Sequence, residues 1–168
     1  EFKENTGTVP VWHPDVRTFE VTRDGKTVGL FYLDTYARSG KRSGAWHSAY
    51  RIRSSLLGDE IVLNSNNNNF TKPAPGEPVL ISLDDAATLF HEFGHAIHYL
   101  LVDVKYPSFA GSQRDFVEYP SQVNENWLLT PEVLQRFAKH YQTGAPMPQA
   151  LIDKIEASSK FNEGFATT

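Results

Sequence analysis

The residues best placed to do chemistry are His91, Glu92 and His95, in the run His91-Glu92-Phe93-Gly94-His95. Two histidines four positions apart lie on one face of a helix, one turn apart, close enough to share a metal ion. An acid beside the first histidine points to one side of that ion, where it can act as a general base. At about 100° per residue, setting His91 to zero puts His95 near 40°, His98 near −20° and Glu92 near 100°. Leu89, Phe90, Phe93, Ala96, Ile97, Leu100 and Leu101 gather on the other side as an apolar stripe. A plain surface helix carries Lys and Glu where this one carries three histidines and an acid. The five-residue motif arises by chance on the order of once in a few hundred chains of this length.

A catalytic zinc takes three protein ligands and keeps one position open for water. The 168-residue chain has no cysteine, so the third ligand must be His, Asp or Glu from a neighbouring element. Glu118 fits best because it opens the next amphipathic stretch, and Asp115 and Glu125 are its rivals. With one Zn2+ per chain, Glu92 takes a proton from the zinc-bound water and passes it to the leaving amine of a peptide. Glu125 or Asp84 could fix the ring of a ligand histidine from behind. His98 shares the metal face and could bind substrate. Arg38, with Lys41 and Arg42, could meet a substrate carboxylate, against the plainer reading of a solvated basic loop. His13, His47 and His140 sit on no ligand spacing and read as structural or exposed.

These groups need a helix to carry them and a scaffold to hold it. Ser82 or Asp84 can cap a helix that runs to about Leu101. A second helix is expected over residues 115–129, a third from Thr130-Pro131 and a fourth after Pro148. Upstream, residues 16–22 and 27–33 alternate as strands around Asp24-Gly25, the signal of a tight hairpin. Residues 34–46 read as a loop. Further strands are expected at 47–52, 60–64 and 78–83. Asn66 to Asn69 reads either as a plain turn or as a polar edge strand that could pair with a peptide backbone.

Composition agrees with a folded domain: 40% hydrophobic and 21% charged residues, with a formal net charge of −4. That balance gives no reason to expect nucleic acid or a membrane surface as partner. No apolar run approaches the roughly 20 residues of a membrane span. The expected setting is soluble, and cytoplasmic rather than periplasmic.

Several segments carry a resemblance: Tyr36-Ala37-Arg38, Gly40-Lys41-Arg42-Ser43-Gly44-Ala45-Trp46, Asn69-Phe70-Thr71-Lys72-Pro73, Leu89 through His98, and Arg114 through Gln122 with its Phe116-Val117-Glu118-Tyr119-Pro120-Ser121 core. The chain resembles the M3 family of zinc peptidases over nearly its whole length. The resemblance implies zinc ligands His91, His95 and Glu118, with Glu92 as general base and oligopeptides as substrates. The run Gln122-Val123-Asn124-Glu125-Asn126-Trp127 is closer to the family's peptidyl-dipeptidases, which release C-terminal dipeptides, than to its endo-acting oligopeptidases. The alternative is a zinc- or peptide-binding piece without turnover of its own. The implied architecture is α+β, a zincin-type catalytic core with a small N-terminal β-sheet followed by active-site helices. Residues 1–168 are expected to form a single partial catalytic domain, 1–83 mainly strands and loops and 84–168 mainly helices. Its ends look like cuts inside a longer protein. The remainder of the parent chain would then supply further His and Tyr residues and complete the active site.

Overall fold

The computed structural model describes residues 1–58 and 60–159, so the expected cut at residues 165–168 lies outside them. Asp24 and Gly25 both take positive φ, 51° and 74°. This conformation suits a two-residue hairpin because its twist matches that of the strands. The turn joins strand β2 (Arg17–Arg23) to β3 (Lys26–Tyr36), in antiparallel register from Arg23↔Lys26 to Arg17↔Leu33. A short first strand, β1 (Phe2–Glu4), adds to β2; three residues gave no periodic signal by which to foresee it. With β4 (Trp46–Arg51) and β5 (Val62–Phe70) the order is β1-β2-β3-β5-β4. β5 runs parallel to β3 and antiparallel to β4, which leaves β4 as an edge strand among the described residues.

Two expectations about this sheet need correction. Asn66 to Asn69 is neither a turn nor an edge: it lies inside β5, flanked on both sides, with Asn64, Asn66 and Asn68 fully buried. Asparagine is a poor strand former, but the Asn64 and Asn66 amides find partners in the layer above, described below. The strand expected at 78–83 is absent. Val79, Leu80 and Ile81 are exposed and pair with no strand.

β3 also runs past its expected end to Tyr36, because Asp34 pairs in register with Asn67 of β5. Asp34 is buried and surrounded by donors. Arg38 grips both carboxylate oxygens at 2.6 and 2.9 Å, Trp12 Nε1 donates at 2.8 Å and Lys41 Nζ at 2.9 Å. Lys41 also donates to the carbonyls of Asp34, Tyr36 and Asn68, closing the irregular end of the β3–β5 ladder. Asn69 Nδ2 holds the carbonyls of Arg42 and Gly44. Loop 37–45 is thus tied down at its base.

Helix α1 (Leu83–Leu101) starts at Ser82, whose Oγ accepts from the Asp85 N–H at 3.0 Å while Asp85 accepts from the Ser82 N–H at 3.1 Å. This reciprocal cap settles the start at Ser82 and leaves Asp84 exposed in the first turn. α2 (Tyr119–Glu125) is shorter than the expected 115–129. Before it, the bonds from Phe116 N to Gln113 O and from Tyr119 N to Phe116 O are three-residue turns, and Pro120 near the start donates none. α3 (Pro131–Phe137) and α4 (Gln149–Ser159) follow, where Thr130-Pro131 and Pro148 led one to expect them.

The chain is α+β, a five-stranded sheet followed by helices, and divides into two compact units. The first, Glu1–Asn126, holds the sheet with α1 and α2; the second begins at Trp127 and holds α3 and α4. In the first unit α1 lies on β3, β4 and β5 and against α2. Val21, Phe31, Val62, Ala96 and Leu100 form its core. The apolar stripe expected on α1 is only part of what is covered: Glu92 and Gly94 are buried too, whereas Leu101 is exposed. No helix among the described residues is long and apolar enough to cross a membrane.

Burial alone would raise the Asp34 pKa, but bonds from Arg38, Trp12 and Lys41 outweigh it and hold the group at about 2. A depressed carboxyl pKa stabilises the fold above the unfolded value, and that stability is lost as pH falls from about 4 toward 2. Asp34→Asn should cost about 3–5 kcal/mol in urea unfolding at pH 7, because it strands the buried Lys41 ammonium and the half-buried Arg38 guanidinium. It should also flatten the acid limb of stability between pH 4 and 2; an unchanged acid limb would show that another carboxylate controls it.

Candidate active site

α1 and α2 bring three donors to one point. His91 Nε2 and His95 Nε2 each lie 3.1 Å from Glu118 Oε2. Among the described residues, these three form the group able to hold a metal ion, their ligand atoms all within 4.8 Å of one another. Adjacent donors around a tetrahedral zinc with bonds of about 2.0–2.1 Å are about 3.3 Å apart, so the spacing fits. Nitrogen and carboxylate oxygen donors also suit zinc in a chain without thiolates. Asp115 stays exposed, outside the group.

Neighbouring groups hold each donor. Glu125 Oε1 hydrogen-bonds His91 Nδ1, which leaves Nε2 free to face Glu118. Ser121 Oγ donates to Glu118 Oε2 at 2.9 Å and to its carbonyl at 2.8 Å. The Ser121 bond holds the Glu118 pKa below the usual carboxylate range, and the two histidines add to it. Burial lowers the pKa of His95. Both shifts favour the forms that bind metal, an ionised carboxylate and a neutral imidazole.

Glu92 points the other way, toward the sheet. It is buried, and burial raises its pKa, partly offset by the His91 charge and by a hydrogen bond from the main-chain N–H of His47. A carboxylate with a raised pKa beside a metal-ligand group suits a proton carrier. The His47 ring stacks on Tyr99, centroids 4.9 Å apart, and sits 6.3 Å from His95. Burial lowers its pKa to about 4, so it is neutral.

The remaining sequence candidates lie elsewhere. His98 shares α1 but stays out of the ligand group; its Nδ1 lies 3.3 Å from Ser112 Oγ and its ring beside Tyr99. Arg38 is engaged with Asp34, which accounts for its guanidinium without a substrate. Asp84, seven residues before His91, is roughly 10 Å away along the helix axis. His13 accepts from the Asp15 N–H, and His140 accepts from the Thr143 N–H.

α2 can present Glu118 only because it approaches α1 closely. A Cβ on Gly94 would stand 2.6 Å from the Pro120 carbonyl oxygen and 2.6 Å from Ser121 Cα. Asn124 Nδ2 crosses the same gap and donates to Phe90 O at 2.6 Å. The glycine inside His91-Glu92-Phe93-Gly94-His95 is therefore the contact point for the helix that carries the third donor. A profile of peptidase family M3 matches residues 1–168. The chain belongs to peptidase family M3. This M3 chain is 46% identical to a dipeptidyl carboxypeptidase of Escherichia coli (strain K12) over 160 residues, 94% of the chain and 23% of that relative. A dipeptidyl carboxypeptidase of Salmonella typhimurium is 42% identical over 163 residues, covering 95% of the chain and 24% of the relative. Oligopeptidase A of Escherichia coli (strain K12) is 41% identical over 162 residues, covering 91% and 23%. The M3 chain thus spans about a quarter of the length of these relatives.

Reasoning from residue types missed four neighbours of the site in this M3 chain: His47, Asn66, Ser121 and Asn124. Only Ser121 and Asn124 had a usable signal, since they lie three and six positions after Glu118 on a short helix. His47 and Asn66 arrive through strand pairing, which no local pattern announces.

Gly94→Ala opposes two effects: better helix propensity, worth about 1 kcal/mol, and overpacking against backbone, costing about 1–3 kcal/mol. Rigid backbone at 2.6 Å should make overpacking win. The variant should have a lower Tm than wild type in thermal unfolding; a higher Tm would mean that α2 can retreat freely.

Proposed function

We propose that this chain carries the zinc site of a zincin-type peptidase that hydrolyses oligopeptides and releases C-terminal dipeptides. The observation that carries the reading is the convergence of His91 Nε2, His95 Nε2 and Glu118 Oε2, with the buried carboxylate of Glu92 alongside. Three protein donors leave a fourth position for water, the pattern of catalytic rather than structural zinc sites. Zinc bound there would act as a Lewis acid and bring the pKa of a coordinated water toward neutrality.

The chain's own residues do the rest. Glu125 fixes the His91 ring and Ser121 the Glu118 carboxylate, so the donors are set before metal arrives. Glu92 takes the proton from the attacking water and delivers it to the leaving amine; burial raises its pKa, which makes its carboxylate a stronger base toward that water and lets it hold the proton until the amine accepts it. β4 is an edge strand among the described residues, and its His47 N–H touches Glu92, so an extended peptide paired to β4 would lie alongside the base. The strand edge that could pair with a peptide backbone is therefore β4 and not the asparagine run. Arg42, exposed over the Trp46 ring at the start of β4, is free of Asp34 and is the candidate to meet a C-terminal carboxylate.

Dipeptide release is supported by the identity to the dipeptidyl carboxypeptidase of Escherichia coli, 46%, against 41% to oligopeptidase A of the same strain. The oligopeptidase likeness keeps endo-acting cleavage as the second reading. A piece that binds zinc or peptide without turnover would have no use for a buried carboxylate at the position of Glu92.

Glu118→Ala should weaken zinc binding in chelator competition; undiminished affinity would assign the third ligand to another residue. In the full-length enzyme Glu92→Gln should keep zinc but lose at least the roughly 10²- to 10⁴-fold typical of general-base removal. Turnover at the wild-type rate in that variant would overturn the role of Glu92. Product analysis on a free and a C-terminally amidated peptide separates the readings, since only the endo-acting enzyme should cleave both equally.

A further inference from the structure

Three asparagine side chains reach main-chain groups of α1, from two sides. On the sheet side, Asn64 Nδ2 donates to Ala96 O at 3.0 Å. Asn66, with its amide oriented by its partners, donates to Glu92 O at 3.0 Å and accepts from the Phe93 N–H at 2.9 Å. On the α2 side, Asn124 Nδ2 donates to Phe90 O at 2.6 Å. The carbonyls they hold flank the functional residues: Phe90 precedes His91, Glu92 is the base itself, and Ala96 follows His95.

A helix lying on apolar side chains can slide or roll at modest cost, because the hydrophobic effect is non-directional. A hydrogen bond to a chosen carbonyl is directional and fixes both rotation and translation. Asn64 and Asn66 are fully buried, where an amide left without a partner is expensive. They therefore enforce a single register of α1 on β5. That register reaches the base by a second route: Asn66 is the strand partner of His47, whose N–H bonds the Glu92 carboxylate. One cross-strand pair thus holds Glu92 at its main chain and at its side chain.

We propose that the site is positioned as two separately anchored halves, with Asn66 the positioning residue for the base and Asn124 the positioning residue for the metal ligands. Asn124 is on α2 with Glu125, and Glu118 caps the start of that helix, so the Asn124 bond to Phe90 O sets how the third donor meets His91 and His95. Asn66 is on β5 and, among the described residues, bonds to α1 and its strand neighbours and not to α2. Removing one anchor should disturb one half and spare the other.

The inference rests on the reading of His91, His95 and Glu118 as ligands and Glu92 as base, and its test is separable from that reading. In the full-length zinc enzyme, Asn66→Leu and Asn124→Leu replace an amide by an apolar group of similar size. Three quantities are measured for each: zinc affinity by chelator competition, kcat and KM on a short peptide, and Tm. Asn66→Leu should lower kcat by at least about 10-fold, as sub-ångström misplacement of a reacting group does, with KM within about two-fold and zinc affinity unchanged. Asn124→Leu should weaken zinc affinity roughly 10- to 100-fold, the range for loss of a group that orients ligands. Val62→Ala, in the same helix–sheet layer but bonded to no α1 carbonyl, is the stability control. Asn66→Ser, too short to reach both atoms, repeats the test if the leucine variant does not fold. The proposal is overturned if Asn66→Leu loses zinc as readily as Asn124→Leu, or if Val62→Ala lowers kcat equally for the same loss of Tm. Failure of the functional reading looks different: Glu92→Gln would then keep its turnover whatever the asparagine variants do.

Discussion

Everything at this site depends on α1 being gripped from two opposite sides. A pair of histidines able to share a metal ion and an acid one residue away cannot face the same direction on a helix, since neighbouring positions are about 100° apart. The chain resolves this by giving α1 two partners. α2 comes close at Gly94 and presents Glu118 to the histidines, and the sheet receives Glu92 beside His47. The helix is consequently buried around residues that sequence patterning would leave in water.

Two of the half-buried or buried carboxylates are met by donors that favour the ionised form. Asp34 is ringed by Arg38, Lys41 and Trp12, and Glu118 accepts from Ser121. Glu92 is the departure, since its burial is answered by a single main-chain N–H. A carboxylate left short of partners is a poor structural element and a good proton carrier, which is how perturbed groups come to mark functional sites.

Much of this was legible in the residue order. The spacing of His91, Glu92 and His95 on a helical stripe, the cap at Ser82 and the Asp24-Gly25 hairpin are local patterns, and all three elements appear at those positions. The elements that failed are ones whose structure is decided from outside. The asparagine run has low strand propensity, and its place in β5 is set by pairing with β3 and β4 and by the carbonyls of α1 above it. Val79 to Ile81 has the composition of a strand and no neighbour to pair with. Arg38 reads as a free cation only until β3 is extended to bring Asp34 beside it. His47 had no ligand spacing because it enters by its main chain, and any residue but proline carries that N–H.

The strand order has a consequence for how the molecule assembles. β2 and β3 are joined by a two-residue turn and close locally, whereas β5 must insert between β3 and β4, with Gly29 meeting Val62 across the chain. Contacts so far apart in sequence bear their loop-closure entropy before any pairing rewards it. α1 follows β5 in the chain, and its contacts with Asn64 and Asn66 exist only once β5 is seated. The hairpin is therefore the natural early structure, and the neighbourhood of Glu92 belongs to the last part of the unit to consolidate. In a nascent chain Glu92 would thus meet the His47 N–H only once the sheet is finished.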